Sequence, residues 1–437
     1  MNLISQLNLW FIGPPEYKEY RLNGRWMVPF EPLLGYTSSH DLEVLLQEME
    51  WLHRYTGRDG SNFIYSLEWI KPGGILDTNL QGTFLKAITR SRARWYLFYD
   101  PILAVRQRGL PGELPIDFSI PEIRKLFSDD LDYLERYFSH PQYWKVNGRP
   151  AMHVWAVPDG LANVDDAFRE ALDRGIYLIG DVFGRGGDRL PPLSAKSGFV
   201  IVTPEMLAHS SDWTVPGAMP FFEKYFTDRG GLDLIPAFSC QYDDTEFMAA
   251  LPPAESRAPI RVLARDRGEI EDFLRLAQRH AAPIADGDRY IFCGTIDNWA
   301  EGTTLLPTKR SDPPFWDIRG RSRRIGFYHF EHLAALREVL FPEVAPYQGP
   351  RLEAGRRGRS VLFHDCDRMG RLRLSGRGVA ALANPPEWST GSGISERFGS
   401  RRRWRPRWKE GASPAPLRLR FRNLDGRVAR LRLEPGG

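Results

Sequence analysis

Cysteine is scarce in this sequence of 437 residues, which contains only Cys240, Cys293 and Cys366. Three scattered cysteines are too few for a disulfide framework, and none has the CxxC spacing of a structural metal site. We therefore expect reduced, buried thiols, and we expect neither a metal ion nor another cofactor.

Two further signatures are missing from the sequence. The glycine cluster at 184–187 lacks the strand–GxGxxG–helix context with a following acid, so it is neither a Rossmann fingerprint nor a phosphate loop. Residues 2–11 have no basic n-region, no long apolar core and no small-residue cleavage site, so they do not look like a secretory signal. The sequence accordingly predicts a cytoplasmic location and no membrane partner.

Charge is distributed unevenly along the chain. The whole sequence has a formal net charge of +4, but residues 351–437 contain 21 Lys and Arg against 8 Asp and Glu, a net +13. The chain before residue 351 therefore carries −9. This step coincides with Pro346-Tyr347-Gln348-Gly349-Pro350, which is typical of a linker. We expect a large domain over residues 1–345 and a small basic domain over residues 351–437.

Short β-prone runs alternate with amphipathic helical patterns before this boundary. The candidate strands are Leu9–Ile12, Asn62–Leu67, Arg94–Tyr99, Ala151–Ala156, Ile176–Asp181, Phe199–Val202, Leu234–Phe238 and Tyr290–Ile296. The candidate helices are Asp41–Tyr55, Asn79–Arg90, Ile120–Phe138, Val164–Arg174, Pro220–Arg229 and Arg267–His280. This α/β alternation favours a (β/α)8 TIM barrel, although periodicity alone leaves a doubly wound sheet open.

Arginine alternates with apolar residues in the tail, at 371–374, 417–422 and 428–433. A period of two predicts half-buried antiparallel strands, and Asp425-Gly426 is a hairpin signal. We expect a small antiparallel, sandwich-like β domain. The basic strip 401–409 mixes arginine with tryptophan, which suits nucleic acid or an anionic glycan. We favour a solvated loop and expect no nucleic-acid partner, because no nucleic-acid module motif accompanies the strip.

The most informative stretch is 295–303, which reads Thr-Ile-Asp-Asn-Trp-Ala-Glu-Gly-Thr and follows a β-prone run. In a barrel, the catalytic residues lie where strands end at their carboxyl side. The stretch places Glu301 beside Trp299 and Gly302, and an aromatic neighbour can raise the pKa of a carboxyl group. Because glycosidic cleavage needs a proton donor, Glu301 is the candidate general acid.

The same stretch resembles the Asn-Glu-Trp-x-Glu-Gly-Thr signature of glycoside hydrolase family 99-like and WbsX-like proteins. Trp299, Glu301, Gly302 and Thr303 match, whereas Asn298 stands in place of the first glutamate. Weaker similarities follow in family order at 32–41, 99–101, 143–150, 235–238 and 326–330. The resemblance implies a (β/α)8 barrel. In endo-mannosidases of that family, the first glutamate assists the sugar 2-hydroxyl and the second is the general acid/base. Glu301 thus inherits the acid/base role, and the assisting carboxylate is missing.

Other carboxylates are candidates for the second catalytic group. Asp100 stands where the family has an acid close to the sugar, and Glu68 also follows a predicted strand. On an extended chain, Asp297 points away from the side that Asn298 faces, so we favour a hydrogen-bonding role for it. The candidate substrate-binding residues are Tyr36, Trp69, Tyr99, Asp297, Asn298, Trp299, Tyr242 and Asp243.

The sequence thus favours a glycoside hydrolase that acts on an oligo- or polysaccharide. A polysaccharide lyase on the same fold is an alternative, and so is a non-catalytic glycan-binding barrel that has lost one catalytic glutamate. A second carboxylate at roughly 5–5.5 Å from Glu301 indicates a retaining enzyme, and one at roughly 6.5–9.5 Å an inverting enzyme.

Overall fold

The computed structural model describes residues 1–9, 21–22, 25–26, 32–35, 37–157, 160–182, 190–198, 212–227, 230–239, 241–252, 261–263, 267–298, 304–307, 315–316, 322–323, 330–354, 360–368, 370–375, 382, 402–405, 409–410 and 415–434. The chain divides into two compact units, Met1–Ala345 and Pro346–Gly437. Each has its own set of secondary-structure elements.

Parallel strands and helices alternate along the first unit. Its strands are β1 (Asn2–Leu7), β2 (Arg21–Leu22), β3 (Arg25–Trp26), β4 (Phe63–Trp69), β5 (Arg94–Tyr99), β6 (Ile116–Asp117), β7 (Lys145–Val146), β8 (Arg149–Val154), β9 (Leu161–Ala162), β10 (Tyr177–Asp181), β11 (Ala195–Ser197), β12 (Asp212–Thr214), β13 (Asp233–Leu234), β14 (Ala237–Phe238), β15 (Gln241–Asp243), β16 (Arg261–Leu263), β17 (Tyr290–Thr295), β18 (Phe315–Trp316) and β19 (Ser322–Arg323). Its helices are α1 (Leu42–Thr56), α2 (Ile75–Asn79), α3 (Leu85–Ile88), α4 (Pro101–Arg106), α5 (Pro121–Phe138), α6 (Asp165–Asp173), α7 (Val215–Thr227), α8 (Thr245–Ala250), α9 (Arg267–His280) and α10 (Glu331–Leu340), with a π-helical turn Leu80–Phe84 between α2 and α3.

The main sheet has the strand order β13-β11-β10-β8-β5-β4-β1-β17-β14, and neighbours along this path are parallel. Its two end strands belong to one segment, 233–238. The amide of Ile235 donates to the carbonyl of Lys196 at 3.0 Å, while the amide of Phe292 donates to the carbonyl of Pro236 at 2.8 Å. The path of paired strands therefore returns on itself. The predicted α/β class is confirmed, and the structure shows a curled parallel sheet.

Both faces of the central strands are buried, as parallel sheets covered by helices require. Every residue of β4 is buried, including Ser66 and Glu68. The helix α1 contacts β4 through the hydrogen bond between the His53 ring and the Tyr65 hydroxyl at 2.9 Å. Its N-terminus is capped by the Asp41 carboxylate, which accepts the amides of Glu43 and Val44.

The first strand differs from its prediction. The structure places it at Asn2–Leu7, whereas Leu9 lies outside any strand and residues 10–12 lie outside the described residues. Ser5 and Gln6 interrupt the apolar pattern of this segment, although both are buried and hydrogen-bonded. The candidate strand Phe199–Val202 also lies outside the described residues, and β11 pairs between β10 and β13. The other candidate strands and the candidate helices contain observed elements of the predicted type.

Short secondary sheets lie in segments that follow the carboxyl ends of the main strands. The pairs β2–β3, β6–β9 and β18–β19 are of this kind, and so is the three-stranded sheet β12-β16-β15. Extra chain is thus concentrated at the end of the parallel sheet where α/β enzymes carry their active sites.

The second unit contains two antiparallel sheets. Its strands are β20 (Arg351–Ala354), β21 (Val361–His364), β22 (Arg371–Ser375), β23 (Arg402–Trp404), β24 (Leu417–Arg422) and β25 (Val428–Leu433), arranged as β20-β21-β23 and β22-β24-β25. Side chains from both sheets form one core, including Val361, Phe363, Leu419 and Phe421. The predicted antiparallel strands and the hairpin at Asp425-Gly426 are confirmed, and Gly426 has the positive φ of +85° that this turn uses.

Candidate active site at the carboxyl ends of the strands

Glu68 and Asp100 face the inside of the parallel sheet. Successive strand residues point to opposite faces, and their neighbours Trp69 and Tyr99 point toward helices. The Trp69 indole donates to the Asp77 carboxylate at 3.0 Å, and the Tyr99 hydroxyl donates to Asp130 at 2.8 Å. The two acids are therefore on the other face, at the carboxyl ends of adjacent strands.

The register of β4 and β5 sets the spacing of these two acids. Glu68 lies opposite Phe98, and Asp100 comes two residues after Phe98 on the same face. Strand separation and rise per residue place the two Cα atoms on the order of 8 Å apart. Both side chains are nearly covered, with 7% of Glu68 and 4% of Asp100 exposed. Two buried acids thus lie at neighbouring strand ends on the same face.

Asp100 has two physical roles. Burial raises its pKa from 3.8 to about 6, against the opposing effect of backbone amides. Its Oδ1 accepts the amide of Leu103 at 2.9 Å and so caps the N-terminus of α4. A carboxyl group with this pKa holds a proton in part of the population near neutral pH, which suits general acid or base work.

Aromatic side chains and a histidine lie on the same face, inside the sheet. The His153 ring contacts Tyr96, Phe98 and Phe292, with ring centroids 6.5, 4.7 and 5.7 Å away. Burial lowers the pKa of His153 to about 3, so the ring is neutral. These residues form an apolar, uncharged layer in the interior, at positions that precede Glu68 and Asp100 along their strands.

The loop with the signature begins at a β-bulge in β17. The register advances from Ile4 opposite Phe292 to Gln6 opposite Thr295, so that β17 contains one extra residue. Gly294 lies in this bulge with φ +27°. A bulge changes the direction of the side chains that follow it, and bulges are frequent beside active sites.

The segment after the bulge is a turn. The amide of Asn298 donates to the Thr295 hydroxyl at 3.1 Å, and the amide of Ile296 donates to the carbonyl of Gln6 at 2.6 Å. The expectation that Asp297 and Asn298 face opposite ways rested on an extended chain, so it does not apply to this conformation. Both side chains are buried.

Asp297 forms an acidic cluster with α1. Its Oδ1 accepts the amide of Asn8 at 2.8 Å, and burial raises its pKa to about 8. Burial also raises the pKa of Glu48 well above its ordinary value, and the nearby charges of Asp297 and Asp41 raise it further. Two buried carboxyl groups that repel each other share their protons. The cluster therefore links α1 to the first residues of the signature loop.

Sequence reasoning missed Glu48, although a signal for it exists. Val44, Leu45 and Leu52 form a buried stripe on α1, and Glu48 occupies the same stripe at helical spacing. A charged residue on an apolar stripe is one that the fold must bury, and such residues are paired or have a shifted pKa.

Two of the candidate substrate-binding residues lie on the outer face of the sheet, toward the helices. Trp69 and Tyr99 are 0% and 1% exposed, and the Trp69 ring stacks on Tyr99 and on Tyr133 of α5. The sequence suggests both as substrate-binding residues, but this geometry places them on the face opposite Glu68 and Asp100, because adjacent strand residues alternate. Both rings instead pack the sheet against its helices.

Tyr242 and Asp243 lie on β15, in the small sheet β12-β16-β15 that follows the main strands. The Tyr242 hydroxyl donates to Asp244 at 3.0 Å, and Oδ1 of Asp243 accepts the amide of Thr245 at the start of α8. Both are buried. The remaining candidates Tyr36, Trp299 and Glu301 lie outside the described residues.

Two features are absent from the described part of the chain. No group of three His, Cys, Asp or Glu side chains there is arranged to hold a metal ion. No helix there is both long and apolar enough to cross a bilayer.

Comparison with known proteins gave likenesses among solved structures alone. No family model matches the chain, and no curated protein matches it. The GH99 endo-alpha-mannosidase from Bacteroides thetaiotaomicron is similar, with 15% identity and a TM-score of 0.49 over 78% of this chain and 98% of that one, both alone and in complex with BIS-TRIS-propane. A glycoside hydrolase-like protein shows 13% identity and a TM-score of 0.48 over 77% and 93% of the two chains. With TM-scores below 0.5, these likenesses decide neither the fold nor the function.

Proposed function

We propose that the N-terminal unit is a (β/α)8 barrel that hydrolyses a glycosidic bond in an oligo- or polysaccharide. The observation that carries this proposal is that Glu68 and Asp100 are both buried and both follow the inner-face register, at the carboxyl ends of adjacent parallel strands. Glycosidases use two carboxyl groups in this kind of setting. The ring of paired strands and the loops that follow it support the barrel.

In the proposed mechanism, Glu301 is the general acid that protonates the leaving oxygen. This assignment comes from the signature in the sequence. Asn298 cannot replace the missing glutamate as a base, because an amide does not take up a proton near neutral pH. The neighbouring-group route through the sugar 2-hydroxyl therefore lacks its assisting carboxylate, and the proposal takes a water molecule as the nucleophile.

We assign the activation of that water to Glu68. One oxygen of Asp100 is committed to the cap of α4, which makes Asp100 the second choice for the base. The negative charge of Asp100 also disfavours ionisation of other nearby carboxyl groups, so that one of them keeps a proton more readily. A base that activates water on the far side of the sugar implies inversion at the anomeric carbon.

A second candidate function is glycan binding without cleavage. The observation that favours it is Asn298, which stands where the resembling family has a catalytic glutamate. A barrel that kept its aromatic and acidic residues but lost this group would still bind sugar through hydrogen bonds.

A screen against oligo- and polysaccharides tests the proposal. Wild type, Glu301→Gln and Glu68→Gln are incubated with the panel, and products are read by mass spectrometry. The matched control is Glu122→Gln, which changes an exposed acid on α5. Hydrolysis adds the mass of water to the fragments, whereas a lyase leaves an unsaturated sugar without added water.

The proposal expects water-added products from wild type and from the control, with a loss of at least about a hundredfold in both active-site variants. Unsaturated products would identify a lyase. Glycan binding with no products from any variant would make the binding barrel the correct account.

A further inference from the structure

The sheet β22-β24-β25 of the second unit has one face that consists almost entirely of arginine. Along β24, Leu417, Leu419 and Phe421 are buried while the alternate residues are exposed. We call the exposed set the arginine face, which comprises Arg373, Arg418, Arg420, Arg422, Arg430 and Arg432. It covers all three strands, so it is a two-dimensional array of positive charge.

The register brings these arginines directly opposite one another. Arg420 lies between Arg373 on one neighbouring strand and Arg430 on the other, and Arg418 lies opposite Arg432. Directly opposite side chains have Cβ atoms about 4.5–5.5 Å apart, and like charges in such pairs destabilise a sheet. The fold alone therefore gains nothing from this arrangement.

Little negative charge balances the arginine face. Within the described part of the chain, Glu434 is the one acidic residue that forms an ion pair with it, through Arg432. Five of its six arginines have no ion pair there. A multivalent anion would relieve the repulsion and gain charge-assisted hydrogen bonds from the planar guanidinium groups, which match carboxylate and sulfate oxygens.

The chemistry of the face favours a flexible chain of anionic sugars over single-stranded nucleic acid. The exposed positions of these strands contain arginine and Ser375 but no aromatic side chain that would stack on an unpaired base. Charged groups recur every ~6.6 Å along a strand and about 4.8 Å between strands, on an open surface that a linear polymer can follow.

We propose that the arginine face binds an anionic polysaccharide that carries carboxylate or sulfate groups. The choice of a glycan rests partly on the proposed function of the first unit, because a second unit that holds a polymer increases its local concentration at the barrel. The binding itself needs only the arginine face.

Binding of the full chain is measured with fluorescent polygalacturonate as a carboxylated probe and heparin as a sulfated probe, at 0.15 M salt. Neutral dextran, a random duplex DNA and phosphatidylserine vesicles are the competing probes. The test variant is Arg418→Gln/Arg420→Gln/Arg430→Gln. The matched control is Arg92→Gln/Arg124→Gln/Arg136→Gln, which removes the same charge from exposed sites on the first unit.

The expected result is binding of at least one anionic polysaccharide, weakened at least about tenfold in the test variant and unchanged in the control, since exposed ion pairs contribute a fewfold each. Binding that is equal in test variant and wild type overturns the proposal, and so does absence of binding to both anionic polysaccharides. Tighter binding of the DNA or the vesicles assigns the face to another partner.

The test is independent of cleavage. Glu301→Gln should bind the same polysaccharide as wild type if the proposal holds, even if the barrel has no activity. Loss of binding in Glu301→Gln with retention in the arginine variant would place the polymer on the barrel and overturn the role of the arginine face.

Discussion

Three buried carboxyl groups of the first unit differ in their partners. Asp100 caps a helix, Asp297 accepts one backbone amide, and Glu48 lies among other acids. Because burial penalises the charged form, each group has a raised pKa. The pKa of Asp297 is raised to about 8, and that of Asp100 to about 6. These differences give each group a separate expected behaviour.

Asp297 should make the stability of the first unit depend on pH. Its folded pKa is about 8 and its ordinary value 3.8, so the folded state holds a proton that the unfolded chain has lost between these values. The stabilisation is complete below about pH 4 and is lost as pH rises through about 8. Asp297→Asn should flatten this decline, with a gain on the order of 2 kcal/mol in the free energy of unfolding at pH 9.

Urea unfolding of wild type and Asp297→Asn at several pH values measures this difference in the free energy of unfolding. Asp41 and Glu48 of α1, together with the buried Tyr65 hydroxyl near Glu48, share the cluster, so part of the decline should persist in the variant. The exposed Asp129→Asn is the control. Parallel stability curves for wild type and Asp297→Asn would rule out the assigned shift.

Two substitutions at Asp100 separate its cap from its charge. Asparagine also caps helices, so Asp100→Asn should leave the free energy of unfolding nearly unchanged, whereas Asp100→Ala should lower it by about 1 kcal/mol. If the charge helps the chemistry, both variants should lose cleavage activity on the glycan identified by the screen. Equal stability of the two variants would contradict the capping role, and full activity of Asp100→Asn would remove Asp100 from the site.

At the scale of elements, the segment after β4 is organised by one carboxylate. Asp77 accepts hydrogen bonds from Trp69, from the amide of Gly73, from Gln81 and from the hydroxyls of Tyr133 and Tyr137, at 2.6–3.0 Å. Burial alone would raise its pKa, but these donors outweigh burial and lower it. Asp77 thereby fixes Trp69, and with it the orientation of β4 that turns Glu68 inward.

Asp77→Ala should cost about 3 kcal/mol of unfolding free energy, because it leaves several donors without their acceptor. Tyr133→Phe removes one donor and should cost roughly half as much. Chemical denaturation measures both, and Asp132→Ala on the exposed side of α5 is the control. A cost for Asp77→Ala no larger than that of the control would contradict this account of the segment.

Much of the element pattern follows from the sequence, because strands buried on both faces read as apolar runs. The exception is β1, in which Ser5 and Gln6 are buried and donate side-chain hydrogen bonds that a sequence does not display. The bulge in β17 is likewise not predictable from the sequence, because Gly294 alone does not indicate that one residue of this strand is left unpaired.

The candidate site was only partly predictable from the sequence. The acids Glu68 and Asp100 were found because they end strands, and strand alternation should have warned that Trp69 and Tyr99 face the other way. The burial of Glu48 can be read from its place on an apolar stripe, but its interaction with Asp297 cannot, because the two are distant in sequence. Tertiary contacts decide such pairs.

At the scale of the whole molecule, the chain has two units with separate cores. Calorimetry should therefore resolve two unfolding transitions. At low salt, Arg418→Gln/Arg420→Gln/Arg430→Gln should raise the transition temperature of the second unit by a few degrees, because it removes like-charge pairs. The transition of the first unit should not move. A single transition, or a fall in the temperature for the second unit, would contradict this account.

We propose that inner-face carboxylates at the strand ends cleave a glycan. The most direct test is kcat/KM for wild type and Glu68→Gln on the best substrate from the screen, with unfolding midpoints measured on the same samples. The account predicts a loss of at least about a hundredfold at unchanged stability. A Glu68→Gln variant that cleaves at the wild-type rate would contradict it.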